Sequence, residues 1–181
     1  MYHAKQCLAL IVPYVNYGIC SWGNAAKTHL KRVLVLQKRA LRLINFSNPR
    51  EHTVPFFLQI HSLPINFMFF ERVCIMMHDI FNSQAPDNLN CLFRSLEDVH
   101  RYTTRSTSNK CIYVDGVRTE SCRRSFRFMG SKIWNSLPVS IKSLNKFKFK
   151  TLIKSISLEI LEKADDFLDI DQIINELKAS Y

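Results

Sequence analysis

The chain is poor in glycine, with 4 in 181 residues. It has no long apolar run and no close cysteine pair, and its first 50 residues carry no acidic side chain. Each shortage excludes something. So little glycine, with only 6 prolines, rules out collagen-like and low-complexity classes. A membrane-spanning helix needs about 18 or more consecutive apolar residues. The run at 7–15 stops short, and the stretch 54–70 is broken by Gln59, His61, Ser62, Pro64 and Asn66, so no membrane partner is expected. Pro13 sits inside the first run and no small-x-small cleavage site follows, so the expected location is nuclear or cytoplasmic and not secreted. Cys7, Cys20, Cys74, Cys91, Cys111 and Cys122 are scattered, which reads as reduced, buried thiols and not as a disulfide framework.

What is present is core-forming material and positive charge. At 47% hydrophobic and 12% aromatic the chain can pack a core, and 25 Lys+Arg against 15 Asp+Glu give a net charge of +10. The charge comes in blocks. Residues 1–50 hold eight basic residues and no acid; 51–98 hold two basic and six acidic. Residues 99–158 hold thirteen basic residues against Asp115 and Glu120, and 159–181 hold two against seven acids. Two basic zones around an apolar, mildly acidic one suit a polyanion, and nucleic acid is the expected class.

Punctuation and periodicity give a mainly α architecture. A helix over 2–11 ends or kinks at Pro13, and an aromatic segment (Tyr14, Tyr17, Trp22) leads to a turn at Gly23-Asn24. A second helix covers about 27–45. At about 100° per residue, Lys31, Arg32, Lys38, Arg39 and Arg42 share roughly a third of its circumference, a basic stripe. Leu30, Val33, Leu34, Leu36, Ala40, Leu41, Leu43 and Ile44 take most of the rest and form the packing face. Pro64 can open a core helix running to about 81, ended by Ala85-Pro86-Asp87. Residues 100–109 read as a loop or a segment that orders on a partner, 111–114 as a short strand closed by Asp115-Gly116, and 125–137 as a helix. In the last helix Phe149, Leu152, Ile153, Ile156 and Ile160 form an apolar stripe, and the acidic end is a separate short helix or a frayed tail. The segments are therefore a helical bundle segment (1–50), core helices (51–98), a basic region with at most a short β element and further helices (99–158), and an acidic helix or tail (159–181).

No constellation makes a self-contained catalytic or metal site, and no cofactor or small-molecule substrate is expected. Asp165 and Asp166 follow Lys163-Ala164. Two-metal phosphoryl transfer needs such carboxylates on a tight hairpin between strands, whereas the flanks LEIL and FLDI read as helix. Cys74 and His78 share a helix face at i, i+4, but zinc ligands come in close pairs and this one lies in an apolar helix. The basic region alternates charge with aromatics: Arg123, Arg124 and Arg127 with Phe126 and Phe128, and Lys146, Lys148 and Lys150 with Phe147 and Phe149. The cations can neutralise phosphates; the rings either stack bases or belong to the core.

Four segments occur in one order: LALIVPYVNYGICSWGN (8–24), LKRVLVLQKRALRLI (30–44), HRYTTRST (100–107) and GSKIWNSLPVSIKSLNKFKFKTLIK (130–154). With the series W-G-N, L-Q-K-R-A-L-R, Y-T-T-R and Ile133-Trp134-Asn135-Ser136-Leu137-Pro138, residues 5–155 resemble the C-terminal part of non-LTR (LINE-type, jockey-like) retrotransposon reverse transcriptases. The resemblance implies that 1–50 is thumb-like and followed by a post-thumb region. The catalytic palm and the endonuclease would lie outside this chain, which would be a truncated copy or a piece of a longer reading frame. It would then be no enzyme as it stands. Its partners would be RNA or DNA as a template–primer duplex, with other parts of the parent polymerase. The expected nucleic-acid-binding residues are Lys31, Arg32, Lys38, Arg39 and Arg42, then Arg101 and Arg105, then Arg123, Arg124 and Arg127, then Lys146, Lys150 and Lys154. The acidic 159–181 segment fits no motif of this family. The rival reading is an independent nucleic-acid-binding or assembly protein without catalysis.

Overall fold

In the computed structural model, which describes residues 10–99, 109–164 and 166–180, the protein is mainly α. The helices are α1 (Ile19–Trp22), α2 (Lys27–Ile44), α3 (Val54–Ile60), α4 (Ile65–Phe81), α5 (Asp87–Asn90) and α6 (Leu96–Val99). After residue 108 come α7 (Glu120–Arg123), α8 (Phe126–Ser136), α9 (Val139–Lys142), α10 (Lys146–Ala164) and α11 (Ile170–Ser180). No described helix is long and apolar enough to cross a membrane.

α4 is the axis. Pro64 caps it in an extended conformation, a residue with no N–H to waste at a helix start. Eleven of its 17 residues are buried, because α1, α2, α8, α10 and α11 pack around it. Phe67, Phe69, Phe70, Val73, Cys74 and Met77 are fully enclosed. α8 approaches closely at Gly130, where a Cβ would meet the Met77 sulfur at 2.8 Å. α10 runs antiparallel to α4, with Lys146 beside Asp79 and Lys150 and Lys154 beside Glu71. The buried core draws on all four charge blocks, from Ile19 to Leu177.

The tryptophan of the Ile133-Trp134-Asn135 series is a core plug. Trp134 is fully buried, its Nε1 donates to the Lys110 carbonyl at 3.1 Å, and its ring lies against Phe81. Asn135 clips the passing chain: its Oδ1 accepts from Ile112 N and its Nδ2 donates to Ile112 O, both at 2.8 Å.

Three expectations are corrected. Residues 111–114 form no strand. Ile112 sits opposite Ser95 in one isolated antiparallel bridge, whose bonds run from Leu96 N to Cys111 O and from Tyr113 N to Arg94 O, while its own N–H and carbonyl bond Asn135. Pro13 does not end its helix, since residues 10–16 are helical and the Pro13 carbonyl accepts from Tyr17 N at 3.0 Å. The chain turns at Gly18, whose φ of 59° suits glycine. The thiols are not all buried: Cys91 and Cys122 are exposed and only Cys74 is buried among the free cysteines described. Between the two forms expected for the acidic end, the structure has the helix. Ile170, Ile173, Ile174 and Leu177 of α11 enter the core. Residues 2–9 of the first expected helix, and residues 100–108, lie outside the described residues.

Candidate nucleic-acid interface

α2 is a helix for local reasons: thirteen of its 18 residues are Leu, Lys, Arg, Gln or Ala, all strong formers, with no glycine or proline inside. It ends on itself, as Asn45 Nδ2 donates to the Leu41 carbonyl at 2.9 Å and Phe46 adopts a left-handed φ of 50°. Only Leu30, Gln37 and Leu41 are buried. Gln37, which no sequence motif marks, ties α2 to the hub: its Oε1 accepts from Ile65 N at 3.0 Å and its Nε2 meets the Met68 sulfur at 3.4 Å. It thereby satisfies one of the N–H groups that a helix start leaves open.

The basic stripe is split. Lys31, Arg32 and Arg39 are exposed and have no ion-pair partner among the described residues. Lys38 instead lies over the Phe167 ring, its Nζ 3.6 Å from the centroid, and burial lowers its pKa. Arg42 directs Nε and Nη2 at the Glu51 carbonyl, at 3.0 and 2.9 Å. The expected packing face is also narrower than the spacing suggested. Leu36 and Leu43 are 62% and 76% exposed, and Phe46 just beyond the helix is 98% exposed. A helix docked along one line cannot bury apolar residues spread over most of its circumference.

The expected cations of the second basic zone are likewise dispersed. Arg124 pairs with Glu120 at 3.2 Å, and Arg127 pairs with Asp115, which also holds Arg94 at 3.2 Å. Arg123 is exposed and unpaired among the described residues, on the rim of an open groove of about 750 Å³ that also holds Lys27, Lys132, Glu120 and Asp169. Lys146 Nζ lies 2.8 Å from the Asp79 carboxylate. Lys150 and Lys154 continue that row one and two turns on, exposed above α4. Arg101 and Arg105 fall outside the described residues.

The α10 row borders a cleft of about 350 Å³ lined by Asn16, His61, Glu71, Arg72 and Lys154. Burial raises the Glu71 pKa, opposed by Lys154, Arg72 and Lys150. Helical residues 10–16 lie between this cleft and α2: Val12 and Asn16 line the cleft, while Ile11 and Val15 line a crevice with Ala40 on the flank of α2 away from Lys31 and Lys38. Among the described residues the cations therefore form two rows, on α2 and on α10, and not one continuous face.

Of the interleaved aromatics, Phe149 is core, stacked on His78 at 4.4 Å, and Phe126 meets Phe93 edge-on at 5.6 Å. Phe128 packs on the core, whereas Phe147 is 79% exposed. Lys142, absent from the expected set, is buried, donates to the Asn109 carbonyl at 3.0 Å and has its pKa lowered by burial. Asp166 stands between α10 and α11, not on a strand hairpin. Cys74 and His78 are both core residues: burial pushes the thiol pKa well up, and His78 Nε2 lies 2.8 Å from the Leu144 carbonyl. No protein-family model, curated protein or solved structure matches the chain.

Proposed function

We propose that this chain is a nucleic-acid-binding piece of a non-LTR retrotransposon reverse transcriptase, the thumb and post-thumb part, without catalytic activity as it stands. The observation that carries the reading is the set Lys31, Arg32 and Arg39. These cations are exposed on an 18-residue helix and unpaired among the described residues, within a 50-residue block that has no acid. Holding such charge without counter-ions suits a surface that meets phosphates. Lys150 and Lys154 on α10 form a second, partly countered row. One observation favours the rival reading of an independent nucleic-acid-binding protein: α11, from the segment that fits no motif of the retroelement family, is integral to the core.

The test is binding of a short RNA–DNA duplex across a salt series. Affinity should fall log-linearly, by about 0.7–0.9 per decade for each phosphate contacted. Changing Lys31, Arg32 and Arg39 together to Gln should weaken binding and flatten that slope, while each exposed substitution shifts stability by only about 0.5 kcal/mol. Affinity that does not change with salt would overturn the phosphate-led reading. Primer extension on an RNA template above a heat-killed control would overturn the non-catalytic one.

A further inference from the structure

The acidic segment between α10 and α11 lies on the predicted polyanion surface. Asp169 pairs with Lys27 at 2.6 Å, at the start of α2. Two residues earlier, Phe167 lies beneath Lys38, three turns further along the same helix. Asp166 is the acid that most opposes the burial-driven fall in the Lys38 pKa. The segment thus runs antiparallel to α2. Between them lies a groove of about 290 Å³ lined by Lys27, Leu30, Lys31, Leu34, Phe167 and Asp169. On the helix circumference Lys27, Lys31 and Lys38 sit side by side, so this row is the inner edge of the basic stripe.

The chemistry of the segment imitates what such a row would bind. In Asp166-Phe167-Leu168-Asp169 an acid, a ring and a second acid occur in order, as phosphate, base and phosphate do along a strand, and the ring sits under a cation as a stacked base would. The segment is anchored at two points below its charged contacts. Asn66 Nδ2 donates to the Leu168 carbonyl at 2.9 Å, and Phe167 meets Phe57 edge-on at 5.8 Å. The charged contacts themselves are exposed, with Lys27 82% and Asp169 43% accessible, and exposed ion pairs are individually weak. The buried face of α11 tethers the segment beside α2, which would keep a displaced segment at high effective concentration there.

We propose that Asp166, Phe167 and Asp169 form a built-in competitor that occupies Lys27 and Lys38, the two ends of the inner row, and must be displaced before nucleic acid can use the whole row. This rests on the nucleic-acid reading above. It predicts that the free protein offers a polyanion only Lys31, Arg32 and Arg39 of this helix at first, and that engagement of Lys27 and Lys38 costs the release of the segment.

The experiment compares two double variants with the same change in net charge. Asp166→Asn with Asp169→Asn frees the row. Glu159→Gln with Glu162→Gln, on the exposed side of α10, leaves it occupied. Binding of a short fluorescent RNA–DNA duplex is measured over a salt series, with thermal unfolding recorded for each protein. The first variant should bind about tenfold more tightly than the second and show a salt slope steeper by about 0.7–0.9 for each additional phosphate neutralised. That gain should vanish when Lys27→Gln and Lys38→Gln are added to both. Equal gains in the two variants, or a gain that survives loss of the two lysines, would overturn the competitor and leave the binding reading standing. If neither variant nor the unaltered protein binds the duplex at low salt, the nucleic-acid reading fails, and the competitor fails with it.

Discussion

α2 and α4 are of nearly equal length, 18 and 17 residues, and both are rich in large apolar side chains, yet one is a surface ridge and the other the axis of the core. Three residues of α2 are buried, against eleven of α4. The difference lies in what surrounds each helix. α4 is enclosed by α1, α2, α5, α8, α10 and α11, so apolar residues all round it are used. α2 docks along one line through Leu30, Gln37 and Leu41, and leaves Leu36, Leu43, Arg32 and Arg39 to solvent. An apolar residue is buried when something arrives to cover it, and that depends on parts of the chain distant in sequence.

The largest effects should come from opposing the two helices directly. Phe70→Ala in α4 should cost about 3–5 kcal/mol of unfolding free energy, since a fully buried ring leaves a cavity. Leu43→Ala in α2 should cost no more than about 0.5 kcal/mol. Urea unfolding of both decides it, and a large loss for Leu43→Ala would mean that α2 packs through its outer face. Next is the link between the helices. Gln37→Leu should cost about 1–3 kcal/mol, because it strands the Ile65 N–H in a buried place. A neutral effect would show that α4 does not need this cap.

A smaller effect, of opposite sign, belongs to the end of α2. Phe46 holds a left-handed φ while its side chain is almost wholly exposed, so Phe46→Gly relieves strain without losing packing. The left-handed conformation costs a non-glycine residue about 1–2 kcal/mol, so the variant should gain on that order in a thermal melt. A loss would reveal a packing role for the ring.

The smallest is a slope. Burial raises the Glu71 pKa above its ordinary 4.5, so the folded protein keeps this proton to higher pH than the unfolded chain does. Its contribution to stability is therefore greatest below 4.5 and is lost as pH rises through the folded value. Glu71→Gln should gain stability relative to the unaltered protein across that interval. Parallel pH profiles of the urea midpoint for the two proteins would refute it.

Local signals were enough for most helices. Pro64 and the apolar run after it define α4 to within a residue, and the absence of breakers between Lys27 and Ile44 defines α2. The segment 111–114 has a β-rich composition but forms no strand: its backbone pairs with 94–96 across one bridge only, and Ile112 turns its own N–H and carbonyl to the Asn135 side chain. The candidate site was legible as composition only. Lys31, Arg32, Arg39, Arg123, Lys150 and Lys154 could be recognised as surface cations, since charge alone keeps such residues in water. That Lys38, Arg42, Arg127 and Lys146 are engaged could not be read, because their partners are Phe167, Glu51, Asp115 and Asp79.

By itself, then, the sequence determined the helical class, the hub helix and the uneven distribution of charge, all of which follow from short-range periodicity and counting. Tertiary structure alone decided which face of α2 is covered, which cations keep their charge free, and that an acidic segment about 130 residues downstream lies along the first basic helix. These depend on long-range packing: α11 buries Ile173 and Leu177 in the core, and that docking brings Asp169 to Lys27.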